Sequence, residues 1–137
     1  MMDDEGIGIP YEESGILLHD ARSVLIKTIF KKKGNEYVYT YDFGDNWVHQ
    51  IKLESIISRE LYCAVCIDGE NECPPEDVGG IYGYAAMLQC FASGTKKEKK
   101  EFIDWIGLDS KETWNASYFN LREINKRLSL VSPADFF

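Results

Sequence analysis

Five side chains able to coordinate a cation or move a proton sit in two turn-forming stretches. Asp42, Asp45 and His49 belong to Tyr39-Thr-Tyr-Asp-Phe-Gly-Asp-Asn-Trp-Val-His49, and Glu76 and Asp77 follow Pro74-Pro75. Carboxylates brought together from two loops could hold a hard divalent cation, or serve with an imidazole as a general acid and base. Asp45, His49, Glu76 and Asp77 are therefore the candidate catalytic residues. Structural roles compete for the same side chains. Asp42 and Asp45 beside Gly44 are what a tight hairpin loop selects, because their carboxylates accept bonds from turn amides. Glu76-Asp77 can equally cap a turn or the helix that follows, and a histidine on an apolar strand face is more often hydrogen-bonded within the fold than a ligand.

The cysteines pose a second question. Cys63-Ala-Val-Cys66, then Cys73, with His49 on the nearby hairpin, contain the ligand types of a Cys₃His zinc centre. Yet Cys63 and Cys66 fall in a stretch that reads as a strand, where residues three apart point to opposite faces and do not readily share a metal. Buried free thiols are the favoured expectation, so no cofactor is expected, with zinc on His49, Cys66 and Cys73 as the alternative. Gly-x-Ser-x-Gly, Walker, Gly-x-Gly-x-x-Gly and His-Glu-x-x-His motifs are absent.

The elements that must position these residues follow from periodicity. Glu36–Tyr41 alternates Tyr37, Tyr39 and Tyr41 against Val38 and Thr40, and residues 48–57 continue the period of two with Trp47, His49, Ile51 and Leu53 on one face. An antiparallel hairpin over about 36–57 closes through Asp-Phe-Gly-Asp-Asn, with Gly44 expected at positive φ. Before it, Val24, Leu25, Ile29 and Phe30 predict a helix capped by Asp20 and stopped at Gly34. After it come a third strand over 61–67, a Pro/Gly loop over 68–80, and three helices. The first runs from about Tyr82 or Gly83 to Ser93-Gly94, the second from its cap Thr95 to Gly107, and the third from about Asn120 to Leu130, ahead of Pro133. This order predicts an α+β fold, an antiparallel sheet covered on one face by C-terminal helices. Residues 1–15 read as an acidic N-terminal arm and 16–137 as a single domain.

With 15 Lys and Arg against 23 Asp and Glu, the 137-residue chain carries a net charge of −8. Nucleic-acid binding rests largely on neutralising phosphates, so this balance argues against a general DNA or RNA binder. The basic run Lys96-Lys-Glu-Lys-Lys100 reads as a solvated helix face. No apolar stretch reaches membrane-spanning length and the start lacks a signal-peptide pattern, so a soluble, cytoplasmic protein is expected.

Taken together, Tyr39-Thr-Tyr-Asp-Phe-Gly-Asp-Asn-Trp-Val-His49, Glu54, Cys66-x-x-Gly69-x-x-x-Cys73-Pro-Pro-Glu-Asp-Val-Gly-Gly80, Gly83-Tyr84, Trp105-Ile-Gly107, Asn125 and Leu128 resemble the plasmid pRiA4b ORF-3-like family over about residues 17–130. The resemblance implies an α+β domain of uncharacterised biochemistry, sometimes labelled a mobile-element passenger and occasionally a resolvase. The resolvase label does not fit. A serine recombinase needs a nucleophilic serine supported by arginines and a basic DNA-binding region, which this acidic chain lacks. Two departures stand out: Cys63 is outside the family pattern, and a further segment that family members carry ahead of the matched region is expected to be missing. An exposed sheet edge or apolar face would then be covered by a second copy or another protein. The expectation is a small binding or interaction module, leaning against an enzyme. The alternative is a metal-dependent enzyme around His49 and the Pro-Pro-Glu-Asp loop.

Overall fold

The computed structural model describes residues 26–58, 63–109 and 112–131, together with the backbone of Gly6–Gly8 and Leu18–Asp20. Most of the acidic arm, Val24 and Leu25 of the first expected helix, the start of the expected third strand, and Pro133 lie outside these residues. The elements in chain order are β1 Gly6–Gly8, β2 Leu18–Asp20, α1 Ile26–Ile29, β3 Glu36–Tyr41, β4 Trp47–Lys52, α2 Gly80–Ser93, α3 Lys96–Ile106 and α4 Leu121–Leu128. The fold is α+β, as its sequence pattern predicts. β1 and β2 pair in parallel, Ile7 opposite His19, while β3 and β4 form a separate antiparallel hairpin with Tyr39 opposite His49 and Tyr41 opposite Trp47.

The hairpin follows the alternation of its residues, but its loop is built differently from expectation. Asp42 and Asn46, not Gly44, take the left-handed backbone, at φ 56° and 57°. Asp42 can do so because its Oδ1 accepts from the Gly44 N–H at 2.9 Å and the Asp45 N–H at 3.3 Å, offsetting the cost of that conformation with local bonds. At the other end, Gly34 does turn left-handed, at φ 92°, and its N–H donates to Leu53 O at 2.8 Å. The second strand stops at Lys52, five residues earlier than the alternation suggests.

No third strand forms in the described part of 61–67. The reason lies far along the chain. Cys66 N–H donates to Asn125 Oδ1 at 2.7 Å and Cys66 O accepts from Asn125 Nδ2 at 3.0 Å, so a helix side chain takes the two bonds a neighbouring strand would have taken. Glu72 N–H adds a bond to Ala116 O at 3.0 Å, and Gly69 lies against the Phe119 ring.

The helices are signalled at their ends. Thr95 and Glu98 form a reciprocal capping box at the start of α3, and Gly107 closes it at φ 85°. Asn120 Oδ1 accepts from Glu123 N–H and starts α4. Phe91 of α2 meets Phe102 of α3 with ring centroids 6.1 Å apart. Among the described residues Met87 is the one large side chain with no exposure. The hairpin meets the helices at its loop end, where the Trp47 and Tyr84 rings lie edge to face at 6.4 Å and Trp114 Nε1–H donates to Tyr84 Oη. At its far end Tyr37 packs edge-on against Phe30 and donates its hydroxyl to Ile29 O, and between the two ends the surface is open, with Val38 66% and Val48 59% exposed on one face and Tyr39 52% exposed on the other.

Candidate functional site

The hairpin loop and the Pro-Pro-Glu-Asp loop do converge. Tyr41, the last residue of β3, donates its hydroxyl to Glu76 Oε1 at 2.5 Å. Asp45 Oδ2 accepts from Gly79 N–H at 3.1 Å, and the Asp45 carbonyl presses on the Cα of Gly80 where a Cβ would stand. Gly79 and Gly80 are both left-handed, at φ 98° and 67°, and α2 begins there with no side-chain cap of its own. Asp45 therefore places a carboxylate from the hairpin at the positive end of α2, the role expected for Glu76-Asp77.

Oxygens of Asp42, Glu76 and Asp77 lie within 4.8 Å of one another, the one group of three ligand-type side chains this close among the described residues. A hard cation could touch all three. Each of two members already has a bond that accounts for its place: Asp42 to the loop amides, Glu76 to the Tyr41 hydroxyl. Exposed carboxylates gather in this way without an ion as well. The electrostatic consequence falls on Tyr41, whose hydroxyl is pushed up to about 12. The hydrogen bond to Glu76 is the main cause, followed by the Glu76 charge, partial desolvation and the charges of Asp42 and Asp77.

His49 stands apart from this group. Its Nδ1–H donates to Trp47 O at 3.1 Å and Tyr39 O at 3.3 Å, and its ring leans on Tyr39 with centroids 5.6 Å apart. It is a histidine bonded to its own hairpin, with Nε2 left facing away from those carbonyls. The zinc set is not brought together either. His49, Cys66 and Cys73 form no such group among the described residues, and Cys66 Sγ–H donates to Asp68 O at 3.3 Å. The expectation of buried thiols also needs correction: Cys73 is exposed, and Cys63, Cys66 and Cys90 are half-buried.

Tyr41 and Asn125 carry two of the long-range junctions, and neither stood out by chemistry. Tyr41 is one of three alternating tyrosines, with only its place beside the loop to distinguish it. Asn125 sits inside an amphipathic helix with no local mark of its reach to Cys66.

An α+β chain in which a tyrosine-rich hairpin docks by its loop on a Pro-Pro-Glu-Asp turn and the start of a helix has known relatives. The model for plasmid pRiA4b ORF-3-like proteins matches residues 2–123, and this chain belongs to that family. It is 32% identical over 127 residues to the uncharacterized protein y4hQ of Sinorhizobium fredii (strain NBRC 101917 / NGR234), covering 91% of this chain and 64% of that protein. The protein of unknown function MM3350 from Methanosarcina mazei Go1 has a crystal structure similar to this fold, with a TM-score of 0.63 and 30% identity over 77% of this chain and 58% of that one. The chain thus spans less than two thirds of the length of either relative.

Proposed function

We propose that the chain is a protein-interaction module whose hairpin pairs edge to edge with a second copy of itself. The observation that carries this is the open hairpin: a two-stranded sheet is marginal alone, and here Val38, Val48, Tyr39 and Ile51 are all exposed. Among the described residues no strand lies beside the outer edge of β3. The bond from Leu53 N–H to Asn35 O sets the ladder so that Glu36, Val38 and Thr40 turn their backbone groups outward. Two β3 strands meeting antiparallel about Val38 would exchange both bonds at that residue. Val38 would then face Val38 of the other copy, Tyr37 would face Tyr39, and Glu36 would face Thr40, with no like charges opposed.

The charge of −8 on each copy works against association. Raising ionic strength from ~0.1 to ~1 M shortens the screening length from about 10 to about 3 Å, so dimerisation should strengthen with salt. Sedimentation velocity at micromolar concentrations tests this. Dimer that increases with salt and is lost on Val38→Lys supports the proposal, whereas a monomer under all conditions ends it.

The alternative, a metal-dependent enzyme, would have to use Asp42, Glu76 and Asp77 more than His49. Metal content of protein purified without a metal column, and melting with and without chelator, separate the two. Stoichiometric metal with a chelator-induced fall in melting temperature favours the enzyme.

A further inference from the structure

A cleft that the interaction surface does not use lies between the stretch before the Pro-Pro-Glu-Asp turn and α4. One wall is Asn71–Cys73 and the other is Tyr118–Asn120 with Glu123, Ile124, Arg127 and Leu128 of α4, and they flank a space of about 330 Å³. The walls are held at a set distance. Asn125 grips the Cys66 peptide by two hydrogen bonds, Glu72 N–H is tied to Ala116 O, and Gly69 is pressed on Phe119 so closely that a Cβ would lie 2.5 Å from the ring. The cleft's volume is at the small end of ligand sites, and it stays open to solvent on one side.

Its lining divides by chemistry. Phe119, Ile124 and Leu128, all half-buried, supply an apolar wall. Arg127 stands beside them, and its charge is left over by the local bonding. Glu123, one turn before it on α4, is placed for the usual acid-before-base helix pair. Instead Glu123 Oε2 accepts from the Tyr118 hydroxyl at 2.9 Å, and Arg127 makes no ion pair among the described residues. A guanidinium beside an apolar wall suits a carboxylate on a flat or aliphatic body, since its planar fork matches the two carboxylate oxygens. Glu72 and Glu123 also line the cleft; their charges work against any anion and most against one with more than one negative charge, so that binding depends on direct contact with the Arg127 fork.

We infer that this cleft binds a small monocarboxylate, with its charged group on Arg127 and its apolar body against Phe119, Ile124 and Leu128. The inference is independent of the hairpin interface. Benzoate and its neutral counterpart benzamide, titrated into nitrogen-15-labelled protein, test it by amide shift mapping. Benzoate should move the amides of residues 71–73 and 118–128 and bind at least about tenfold more tightly than benzamide, the usual worth of a charge-assisted bond. Arg127→Met, an exposed change whose spectrum reports that the fold is kept, should remove that preference and leave benzamide unaltered. Ile124→Trp, which fills the cleft, should weaken both. Equal affinity for the two probes, shifts centred elsewhere, or unchanged benzoate binding in Arg127→Met would overturn the assignment.

Discussion

Tyr41 and Glu76 form the most telling side-chain contact, because it joins residues 35 apart at the edge of the acidic group. A hydroxyl that donates to a carboxylate and is surrounded by further negative charge resists ionisation, and Tyr41 is pushed up to about 12 from an ordinary 10. The sign follows: with the folded value raised, the contribution of this bond to stability is complete below pH 10 and fades as pH rises through 12. An ultraviolet titration should find one late-ionising tyrosine among the eight, absent in Tyr41→Phe and shifted down in Glu76→Gln. Asn125 supplies the second test at this scale. Removing both of its bonds leaves the half-buried Cys66 peptide without partners, so Asn125→Ala should lower unfolding free energy by about 1–3 kcal/mol, read from denaturant midpoints. Neither partner was legible from the chain: a hydrogen bond across 59 residues has no local signature, whereas the loop-building part of Asp42 did, through its neighbour Gly44.

At the level of elements, α3 was legible at both ends because its stop and start signals are contiguous, Thr95-x-x-Glu98 and Gly107. The hairpin was legible by its alternation, which says which residues share a face but not where pairing ends. The expected third strand misled because apolar β-branched residues near Cys63–Cys66 suit any half-buried extended segment, and the partner of that segment proved to be an asparagine on α4. The sequence places the start of α2 near Tyr82 or Gly83, later than the observed Gly80, since Gly79-Gly80 looks like a loop until the Asp45 carbonyl is seen against Gly80. Gly80→Ala should therefore do more than remove a flexible residue. It adds a methyl group where the Asp45 backbone stands and forces alanine to φ 67°, so a loss of ~1–3 kcal/mol is expected, together with loss of the Asp45–Gly79 bond. Hydrogen exchange at Gly79, accelerated beyond the global change in stability, would show that the hairpin had detached from α2.

At the scale of the whole molecule, few large side chains among the described residues are withdrawn from water, and the hairpin is one of several places where apolar side chains stand open, Ile67, Ile81 and Tyr82 being more exposed than any apolar residue of its strands. No helix of the described residues is long and apolar enough to cross a membrane. Composition indicated an acidic globular chain. It did not indicate that the tyrosine face would touch α2 through Trp47 and Tyr84 at one end and α1 through the Tyr37 hydroxyl on Ile29 O at the other, because the separation of layers depends on which loops dock on which helix ends. The proposed dimer depends on β3 as a pairing edge, and pairing about Val38 brings the two copies of that residue to about 5.5 Å between Cα atoms, within disulfide reach. Val38→Cys, with the four native cysteines replaced by serine, should form a covalent dimer under mild oxidation in high salt, while Val48→Cys on the other strand stays monomeric. Equal crosslinking at the two positions, or none at position 38, would contradict it.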